Sequence, residues 1–381
     1  MGWGMKRIFI IFLVVFQLFV GNVIFATEEV KINARSAIVY DRKYKKVLYE
    51  KNMNEKVPNA STTKMLTAIV AYENADMDEV VTVSKKAANT GGSRVGLRTN
   101  DKVTLGDLMH GLLICSGNDA AVAIAEYVGG TEEEFCEMMN EKAKEMGAFN
   151  TNFVTPHGLD RENHYSTAYD LALIADYAMN IEYVKNIVCK KTANIKINDS
   201  TKTLNTTNEM LSVYDGADGI KTGYTSKAGR CLITSATKDD WQLICVVLGC
   251  DTKNFRTSDS IKLLNYAFET YDFFDITSII EKKHTIFVEK SHNTNYSIEF
   301  SEKYILPMTV DEIENLNVEY ELEKNFVAPL YKGEKIGKIR IFCGEKHLKT
   351  FELTNNLNIL RKTPQDYIKK LLNDMSKYLK M

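Results

Sequence analysis

The chain has 381 residues, of which 45% are hydrophobic and 26% are charged, and its formal net charge at pH 7 is −2. This length is enough for one sizeable domain and a smaller one, and the composition is that of an ordinary globular protein. A chain with no excess of basic residues gives no reason to expect nucleic acid as a partner.

The first 26 residues have the pattern of an export signal. Lys6 and Arg7 precede an uncharged, strongly apolar run at residues 8–26, and Ala26 is a small residue that suits cleavage before Thr27. An uncleaved membrane anchor is the alternative, because the run approaches the length that spans a bilayer. We therefore predict a signal peptide at 1–26 and a protein exported to the extracytoplasmic face of the cell membrane or to the cell wall.

The first candidate for chemistry lies on a predicted helix. Two strand-like segments at 37–40 and 46–49 are followed by the run 58–72, whose apolar residues have helical spacing. Ser61 and Lys64 are three positions apart and therefore lie on one helix face. A lysine can activate a serine by taking its proton if burial or nearby positive charge lowers the lysine pKa. Taken alone, such a pair is more typical of a capped helix with a solvated lysine.

Ser116 and Asn118 lie in a predicted turn. The apolar run 108–115 precedes them, and the helix-like run 119–126 follows. A turn between two buried helices can direct a hydroxyl and an amide into a cleft.

Lys221, Thr222 and Gly223 come shortly before the strand-like segment 231–236. On an edge strand, a glycine allows a substrate backbone to approach closely and pair with it. Lys221 would also supply a positive charge that lowers the pKa of Lys64.

The region 27–274 has strand-like segments at both ends and helical segments in its middle. Its later strands are expected at 231–236 and 241–249, and a helix at 258–268 would close the domain. This order predicts an α+β fold in which helices pack on an antiparallel sheet.

The region 277–356 has a different pattern of apolar residues. Short segments of alternating apolar residues occur at 284–288, 296–300, 318–322 and 336–342. Period-two runs separated by turns predict a small all-β domain, and it contains no candidate chemistry.

The tail, residues 357–381, contains a predicted amphipathic helix after Pro364. Such a helix is expected to lie in the membrane interface, and docking on the β domain or on a partner is the alternative. Its lysines lie off the apolar stripe. The stripe consists of Tyr367, Ile368, Leu371, Leu372, Met375, Tyr378 and Leu379, and the lysines are Lys369, Lys370, Lys377 and Lys380.

The seven cysteines are an odd number without metal-ligand spacing, and they do not form a disulfide framework. Most lie in apolar contexts and are expected to be small core residues, so at most a minority would pair. Cys115 could react near the cleft, although a buried thiol is the simpler interpretation. The sequence implies no metal and no organic cofactor.

The three short motifs occur in the order of a known superfamily. The Ser-x-x-Lys, Ser-x-Asn and Lys-Thr-Gly motifs at 61–64, 116–118 and 221–223 resemble those of penicillin-binding proteins and serine β-lactamases. Within that superfamily the chain resembles the low-molecular-mass D-alanyl-D-alanine carboxypeptidases. The stretches that carry this closer resemblance are 60–65, 116–121, 152–160, 164–170, 218–225 and 228–232.

The resemblance implies a β-lactamase/transpeptidase-like catalytic domain followed by a C-terminal β domain. It implies a serine-type carboxypeptidase that removes the terminal D-alanine from peptidoglycan stem pentapeptides. β-Lactam antibiotics are implied as acylating inhibitors.

The resemblance also implies the catalytic roles. Ser61 would form the acyl-enzyme, Lys64 would act as the general base, and Ser116 would relay a proton to the leaving D-alanine. The backbone N–H groups of Ser61 and Tyr224 would form the oxyanion hole.

The other candidates would bind substrate. Asn118 would hold the substrate amide, and Gly223 and Tyr224 would belong to the substrate-binding strand. Lys221 and Thr222 would bind the terminal carboxylate. Arg256 is a weaker candidate for the same carboxylate.

Four other functions share parts of this pattern. A class A β-lactamase would need a Glu-x-x-Leu-Asn motif, which does not occur between Asn118 and Lys221. A D,D-endopeptidase acting on cross-links would share the site, but such relatives usually lack a C-terminal β domain. A transpeptidase differs in its acceptor, which the sequence does not define. A non-catalytic cell-wall-binding protein would have a damaged motif, and all three motifs are intact.

Two histidines, His157 and His164, suggest a Ser-His site at first sight. Neither lies in a nucleophile-elbow sequence, and a Ser-Lys site needs no imidazole. We predict that both are structural or line the cleft.

Overall fold

The computed structural model describes residues 30–323 and 325–378. The predicted signal peptide therefore lies outside the described residues. Contacts divide the chain into two compact units: the first runs up to Tyr266 apart from Lys43–Lys46, and the second contains Lys43–Lys46 and the residues from Ala267 onward. This boundary lies a few residues before the one expected from the sequence, at 274–277.

The first unit is built on a five-stranded sheet whose strands come from both ends of the unit. Its strands are β1 Ser36–Asp41, β2 Lys46–Lys51, β3 Val80–Thr82, β4 Lys102–Thr104, β5 Thr192–Ile197, β6 Ser200–Asn205, β7 Ala217–Thr225, β8 Gly229–Lys238 and β9 Trp241–Cys250. The order in the large sheet is β2-β1-β9-β8-β7, and β3-β4 and β5-β6 form separate pairs. β1 and β9 pair antiparallel with Ser36 opposite Leu248, and β7 is an edge strand.

Helices cover this sheet and form the rest of the core. They are α1 Lys64–Asn74, α2 Lys85–Asn89, α3 Leu105–Leu113, α4 Asn118–Gly129, α5 Glu132–Glu145, α6 Ala168–Ala178, α7 Glu182–Val188, α8 Met210–Val213 and α9 Lys253–Thr270. α1 packs against α3, α4, α5 and α6, and every residue from Lys64 to Ala71 is buried. Burial of this apolar surface is the main stabilising term of the unit. The predicted α+β fold is confirmed.

The helix that carries the first motif begins later than the sequence pattern indicates. A 3₁₀ turn at Ala60–Thr63 precedes α1, so that Ser61 lies on the turn and Lys64 is the first α-helical residue. The Asn59 amide donates to the hydroxyls of Thr62 and Thr63, at 3.1 and 3.0 Å, which stabilises the tighter turn. Side chains three positions apart eclipse in a 3₁₀ turn, so the two motif residues still meet.

The second unit is mostly β, as predicted. Its elements are β10 Asp272–Asp275, β11 Lys283–Glu289, β12 Asn295–Glu299, β13 Ile305–Met308, α10 Val310–Glu314, β14 Leu316–Leu322, β15 Asn325–Val327, β16 Lys335–Cys343, β17 Lys346–Thr354 and α11 Pro364–Tyr378. Two three-stranded sheets, β12-β11-β15 and β14-β16-β17, contribute to one core that includes Ile286, Ile339 and Phe351. Alternate residues of β11 are buried, which is the period-two pattern of a strand with one face in a core.

The C-terminal helix α11 exposes the predicted apolar stripe. Tyr367, Ile368, Leu371, Leu372 and Met375 are each about half exposed or more. The side chain of Tyr378, and Leu379 and Lys380, lie outside the described residues. Within residues 30–323 and 325–378, no helix is long and apolar enough to cross a membrane.

One prediction concerns the loop that lies against the start of α1. Gly158 has a φ of 82°, and a Cβ built on it would lie 1.9 Å from the carbonyl oxygen of Ala60. Gly147 has almost the same φ, 81°, but its Cβ would meet only Leu173 Cδ1, at 3.9 Å. Gly147→Ala should therefore cost only the left-handed backbone strain, about 1–2 kcal/mol. Gly158→Ala adds a backbone clash and should cost more than about 4 kcal/mol or prevent folding.

Urea unfolding of the two variants beside the wild type measures this difference. Equal losses of unfolding free energy in Gly158→Ala and Gly147→Ala would show that the loop does not approach the turn this closely.

Candidate active site

The centre of the site is a buried lysine that contacts three oxygen atoms. Lys64 is completely buried, and its Nζ lies 2.7 Å from Ser61 Oγ, 2.7 Å from Asn118 Oδ1 and 2.8 Å from the carbonyl oxygen of His157. The three partners come from the 3₁₀ turn, from the start of α4 and from the loop before α6. The structure thus brings the first two motifs together.

The orientation of the Asn118 amide is fixed by its other end. Its Nδ2 donates to the carbonyl oxygen of Gly91 at 2.7 Å, which leaves Oδ1 facing Lys64. The neighbouring residue, Asp119, is completely buried. Its carboxylate accepts hydrogen bonds from the backbone N–H groups of Val95, Gly96 and Leu97, at 2.7–3.0 Å. These bonds hold the loop at 91–97 against the start of α4.

Burial and a second lysine change the electrostatics of the site. Desolvation lowers the pKa of Lys64 well below its usual value of 10.5, and the charge of Lys221 lowers it further. Lys221 is also buried, and its own pKa is lowered to about 7, mainly by desolvation, with a further contribution from Arg256. Both amines therefore lose their protons far more readily than lysines in water.

The contacts of Lys64 suit an uncharged amine. A neutral amine donates two hydrogens and offers one lone pair. Asn118 Oδ1 and the His157 carbonyl can only accept, so they take the two hydrogens. The lone pair then faces the Ser61 hydroxyl, which is the arrangement that a general base requires.

The third catalytic candidate, Ser116, lines the cavity but is not bonded to either lysine. It is 4% exposed and has a left-handed φ of 63°. Among the described residues its hydroxyl makes no hydrogen bond. The preceding thiol, Cys115, donates to the carbonyl oxygen of Gly111 at 3.2 Å, and burial raises its pKa. A thiol with a raised pKa is a weak nucleophile, which favours the buried-thiol interpretation.

The edge strand β7 passes directly over the Ser61 backbone. A Cβ on Gly223 would lie 3.1 Å from the backbone nitrogen of Ser61, so a side chain there would crowd the turn. The next residue, Tyr224, is 52% exposed, and the guanidinium of Arg230 lies 3.7 Å from its ring centroid. The strand therefore packs against the turn at Gly223, and Tyr224 is the next residue along the strand.

The third motif also lines a cavity of about 580 Å³ that includes Ser61. Thr222 contributes a hydroxyl, whose Oγ1 lies 2.6 Å from Thr207 Oγ1. Arg256 is 4% exposed and donates from Nη2 to Glu209 Oε2 at 2.6 Å. Among the residues that the structure describes, its buried Nε has no hydrogen-bond partner, so this guanidinium retains an unused donor.

The two histidines are neutral. Burial lowers the pKa of His157 to about 3 and that of His164 to about 4. His164 Nε2 lies 2.9 Å from Thr63 Oγ1, and its Nδ1 accepts the Val154 N–H. His157 meets the site through its carbonyl oxygen rather than its ring.

Sequence reasoning missed three side chains that contribute to this site, as well as the backbone carbonyl of His157. Glu209 and Thr207 lie on a segment without a motif, and only their position before the third motif could have drawn attention to them. Asp119 follows the second motif directly, where an acidic residue in the first turn of a helix is ordinary. Its burial, and the backbone amides that it accepts, appear only in three dimensions.

Comparison with protein families gives two matches. Residues 23–252 match the model described as D-alanyl-D-alanine carboxypeptidase. Residues 268–361 match the model described as penicillin-binding protein 5, C-terminal domain. Together the two matches cover most of the chain.

Curated relatives carry the same name. D-alanyl-D-alanine carboxypeptidase DacF of Bacillus subtilis is 36% identical over 320 residues, covering 82% of this chain and 82% of the relative. DacC of Escherichia coli is 35% identical over 327 residues, covering 82% of this chain and 80% of the relative.

Solved structures agree with the sequence comparisons. D-alanyl-D-alanine carboxypeptidase DacD of Francisella tularensis has a TM-score of 0.71 at 28% identity, covering 87% of this chain and 95% of that one. Penicillin-binding protein 5 of Haemophilus influenzae has a TM-score of 0.68 at 29% identity, covering 87% and 98%. The chain belongs to the D-alanyl-D-alanine carboxypeptidase family and carries the C-terminal domain of penicillin-binding protein 5.

Proposed function

We propose that this protein is a serine-type D-alanyl-D-alanine carboxypeptidase that removes the terminal D-alanine from peptidoglycan stem pentapeptides. The observation that carries the proposal is the buried Lys64 amine, held by three oxygens with Ser61 Oγ at 2.7 Å. A serine on the turn that precedes an apolar helix, with a lysine of lowered pKa beside it, is a nucleophile with its base.

The acylation step uses the Ser61 hydroxyl. Its proton passes to the Lys64 Nζ while its Oγ bonds to the carbonyl carbon of the penultimate D-alanine. The resulting oxyanion accepts hydrogen bonds from the backbone N–H groups of Ser61 and Tyr224. Each such donor stabilises the transition state by about 3–4 kcal/mol. The C–N bond then breaks, and the leaving D-alanine gains a proton through the Ser116 hydroxyl. Water finally cleaves the acyl-enzyme with Lys64 again as the base.

The substrate carboxylate is bound at the other end of the cavity. Thr222 and Arg256 line the cavity there, and the Arg256 Nε has no partner among the described residues. Lys221 is buried next to Thr222, where its Nζ donates to the Thr222 carbonyl oxygen at 2.9 Å, and it would supply positive charge to the carboxylate. The ion pair with Glu209 fixes the orientation of the Arg256 guanidinium. The guanidinium can then bind the substrate carboxylate as a second anion. Asn118 holds the substrate amide, and the edge strand β7 at Gly223 and Tyr224 pairs with the substrate backbone.

A D,D-endopeptidase is the alternative activity, because the same acyl-enzyme would form from a cross-linked peptide. Transfer to an amine is a third activity of such an acyl-enzyme, and the solved structure of the Streptomyces K15 DD-transpeptidase has a TM-score of 0.60 at 32% identity over 63% of this chain. The presence of the C-terminal β domain supports the carboxypeptidase.

The protein is proposed to work at the outer face of the membrane. The apolar stripe of α11 is exposed, and Lys369, Lys370 and Lys377 lie outside the stripe. Such a helix can lie in the bilayer interface with its lysines at the lipid headgroups. The substrate, the peptidoglycan stem peptide, lies at the same surface. β-Lactams would acylate Ser61 as mimics of the substrate.

The nucleophile is tested with a diacyl-Lys-D-Ala-D-Ala tripeptide and the fragment that begins at Thr27. Ser61→Ala should abolish release of free D-alanine, because within the described part of the chain no other hydroxyl is bonded to Lys64. Ser200→Ala, a change of the same kind on an exposed strand, should leave the rate unchanged. Release that survives Ser61→Ala would contradict the assignment. Wild-type protein that forms a penicillin adduct but releases no D-alanine would favour the endopeptidase.

A second prediction follows from the buried charge of Lys221. Its pKa is about 7 in the folded protein and near 10.5 when unfolded, so unfolding takes up a proton between these pH values. The buried charge of Lys221 destabilises the folded protein fully below about pH 7, and this destabilisation disappears as the pH approaches 10.5. Lys221→Met should therefore raise the urea midpoint more at about pH 6 than at about pH 9.5.

The matched control is Lys190→Met, which removes an exposed lysine and should change the midpoint equally at both pH values. A Lys221→Met effect that is also independent of pH would mean that Lys221 titrates like a lysine in water.

The role of α11 is tested by sedimentation with anionic phospholipid vesicles. Leu371→Glu places a charge in the apolar stripe and should weaken binding at least about tenfold, since a charged residue is excluded from the acyl region. Asn373→Glu adds the same charge on the opposite helix face and should weaken binding less. Equal binding by both variants would indicate that this face does not enter the membrane.

A further inference from the structure

The end of the cavity that would receive the substrate carboxylate contains a carboxylate of its own. Among the described residues, the charged side chains that line this cavity are Arg230, Lys253, Arg256 and Glu209. Glu209 is therefore the one acid in that lining, opposite in sign to its charged neighbours. Like charges repel, so this acid must affect how strongly the cavity attracts an anion.

Glu209 is held by one face of the first turn of α9. Lys253, Arg256 and Thr257 are neighbours there, because residues three and four positions apart share a helix face. Arg256 Nη2 donates to Glu209 Oε2 at 2.6 Å, and the Thr257 hydroxyl donates to the same oxygen at 3.3 Å. Glu209 Oε1 forms an ion pair with Lys253 Nζ. The acid thus neutralises two of the cations that line the cavity.

The backbone of Glu209 is fixed beside the edge strand. Glu209 directly precedes α8, which packs against β7, and its carbonyl oxygen accepts the N–H groups of Ser212 and Val213 at 2.8 and 3.2 Å. Two residues earlier, the Thr207 hydroxyl lies 2.6 Å from that of Thr222. One short segment therefore carries the acid and contacts the strand where the substrate carboxylate is placed.

Glu209 has two effects on that carboxylate, and they act in opposite directions. Its hydrogen bond orients the Arg256 guanidinium, which favours binding of the carboxylate. Its negative charge cancels part of the positive potential of Arg256 and Lys253, which opposes binding. A glutamine at position 209 would keep an acceptor oxygen for Arg256 and lose only the charge, so this substitution separates the two effects.

We propose that Glu209 is a specificity-determining residue that limits the preference of the enzyme for peptides with a free terminal carboxylate. It acts through Arg256 and Lys253, whose attraction for an anion it reduces. A peptide with an uncharged C-terminus is then at a smaller disadvantage than the same cations alone would impose. The inference rests on the proposed function, in which Thr222 and Arg256 receive the substrate carboxylate.

Two peptides that differ only in the terminal charge test this role. They are the diacyl-Lys-D-Ala-D-Ala tripeptide and its C-terminal amide, from which the enzyme would release D-alanine and D-alaninamide. The wild type should prefer the carboxylate in kcat/KM by less than about a hundredfold, the upper range for a hydrogen bond to a charged group. This comparison needs no variant, and a larger preference would overturn the proposal.

The substitution Glu209→Gln should lower KM for the carboxylate peptide about three- to tenfold, because one repulsive charge is removed from a partly exposed position. The kcat for that peptide and the KM for the amide should not change. Glu209→Asp keeps the charge and should keep the wild-type ratio of the two kcat/KM values. Glu182→Gln, which removes an exposed glutamate of α7 outside the cavity, should also keep that ratio.

Two results for Glu209→Gln would overturn the proposal. A raised KM for the carboxylate peptide would mean that the acid serves only to orient Arg256. A KM that falls equally for both peptides, or for neither, would mean that the substrate carboxylate does not sense the charge at position 209.

Acylation by fluorescent penicillin separates this inference from the function on which it rests. A wild type that is acylated and releases D-alanine, together with a Glu209→Gln variant of unchanged selectivity, refutes the role of Glu209 alone. A folded wild type with neither acylation nor D-alanine release refutes the proposed function and this inference together.

Discussion

The site depends on a lysine that is completely buried. A charged amine without water is costly, and the cost is lowered only if the amine is well hydrogen-bonded or loses its proton. Lys64 meets both conditions: three oxygens surround its Nζ, and Lys221 adds a charge that disfavours its protonation. The consequence is an amine beside Ser61 whose pKa is lowered well below that of a lysine in water, so that it can act as a base. Without the burial, the same two residues would be a solvated pair on a helix surface.

Several elements of the first unit serve to fix the oxygens around this amine. The amide of Asn118 is turned by the loop at 91–97, which Asp119 anchors through backbone N–H groups. The carbonyl of His157 lies in a loop that passes so close to the first turn that only glycine fits at position 158. The edge strand crosses the same turn at Gly223. Each of these features stabilises an arrangement that buries Lys64 and Lys221. Burial of two lysines lowers the stability of the folded protein, but it also makes Lys64 reactive.

Sequence reasoning identified the parts of this site that consist of short, ordered motifs. It also predicted the α+β class, because strand-like segments occur at both ends of the first unit and helical segments lie between them. The tight turn at Ser61 was missed, since apolar spacing does not distinguish a 3₁₀ turn from the first turn of a helix. Glu209, Asp119 and the His157 carbonyl were missed because their roles come from long-range contacts. A backbone carbonyl in particular has no sequence signal.

The most direct test of this account is an NMR titration of the lysine side chains with ¹³Cε-labelled lysine, with the Lys64 signal assigned by its absence in Lys64→Met. We expect this signal to titrate well below 10.5, while the exposed lysines titrate near that value. A Lys64 signal that remains that of a charged amine up to about pH 10 would contradict the central claim that burial makes this lysine the base.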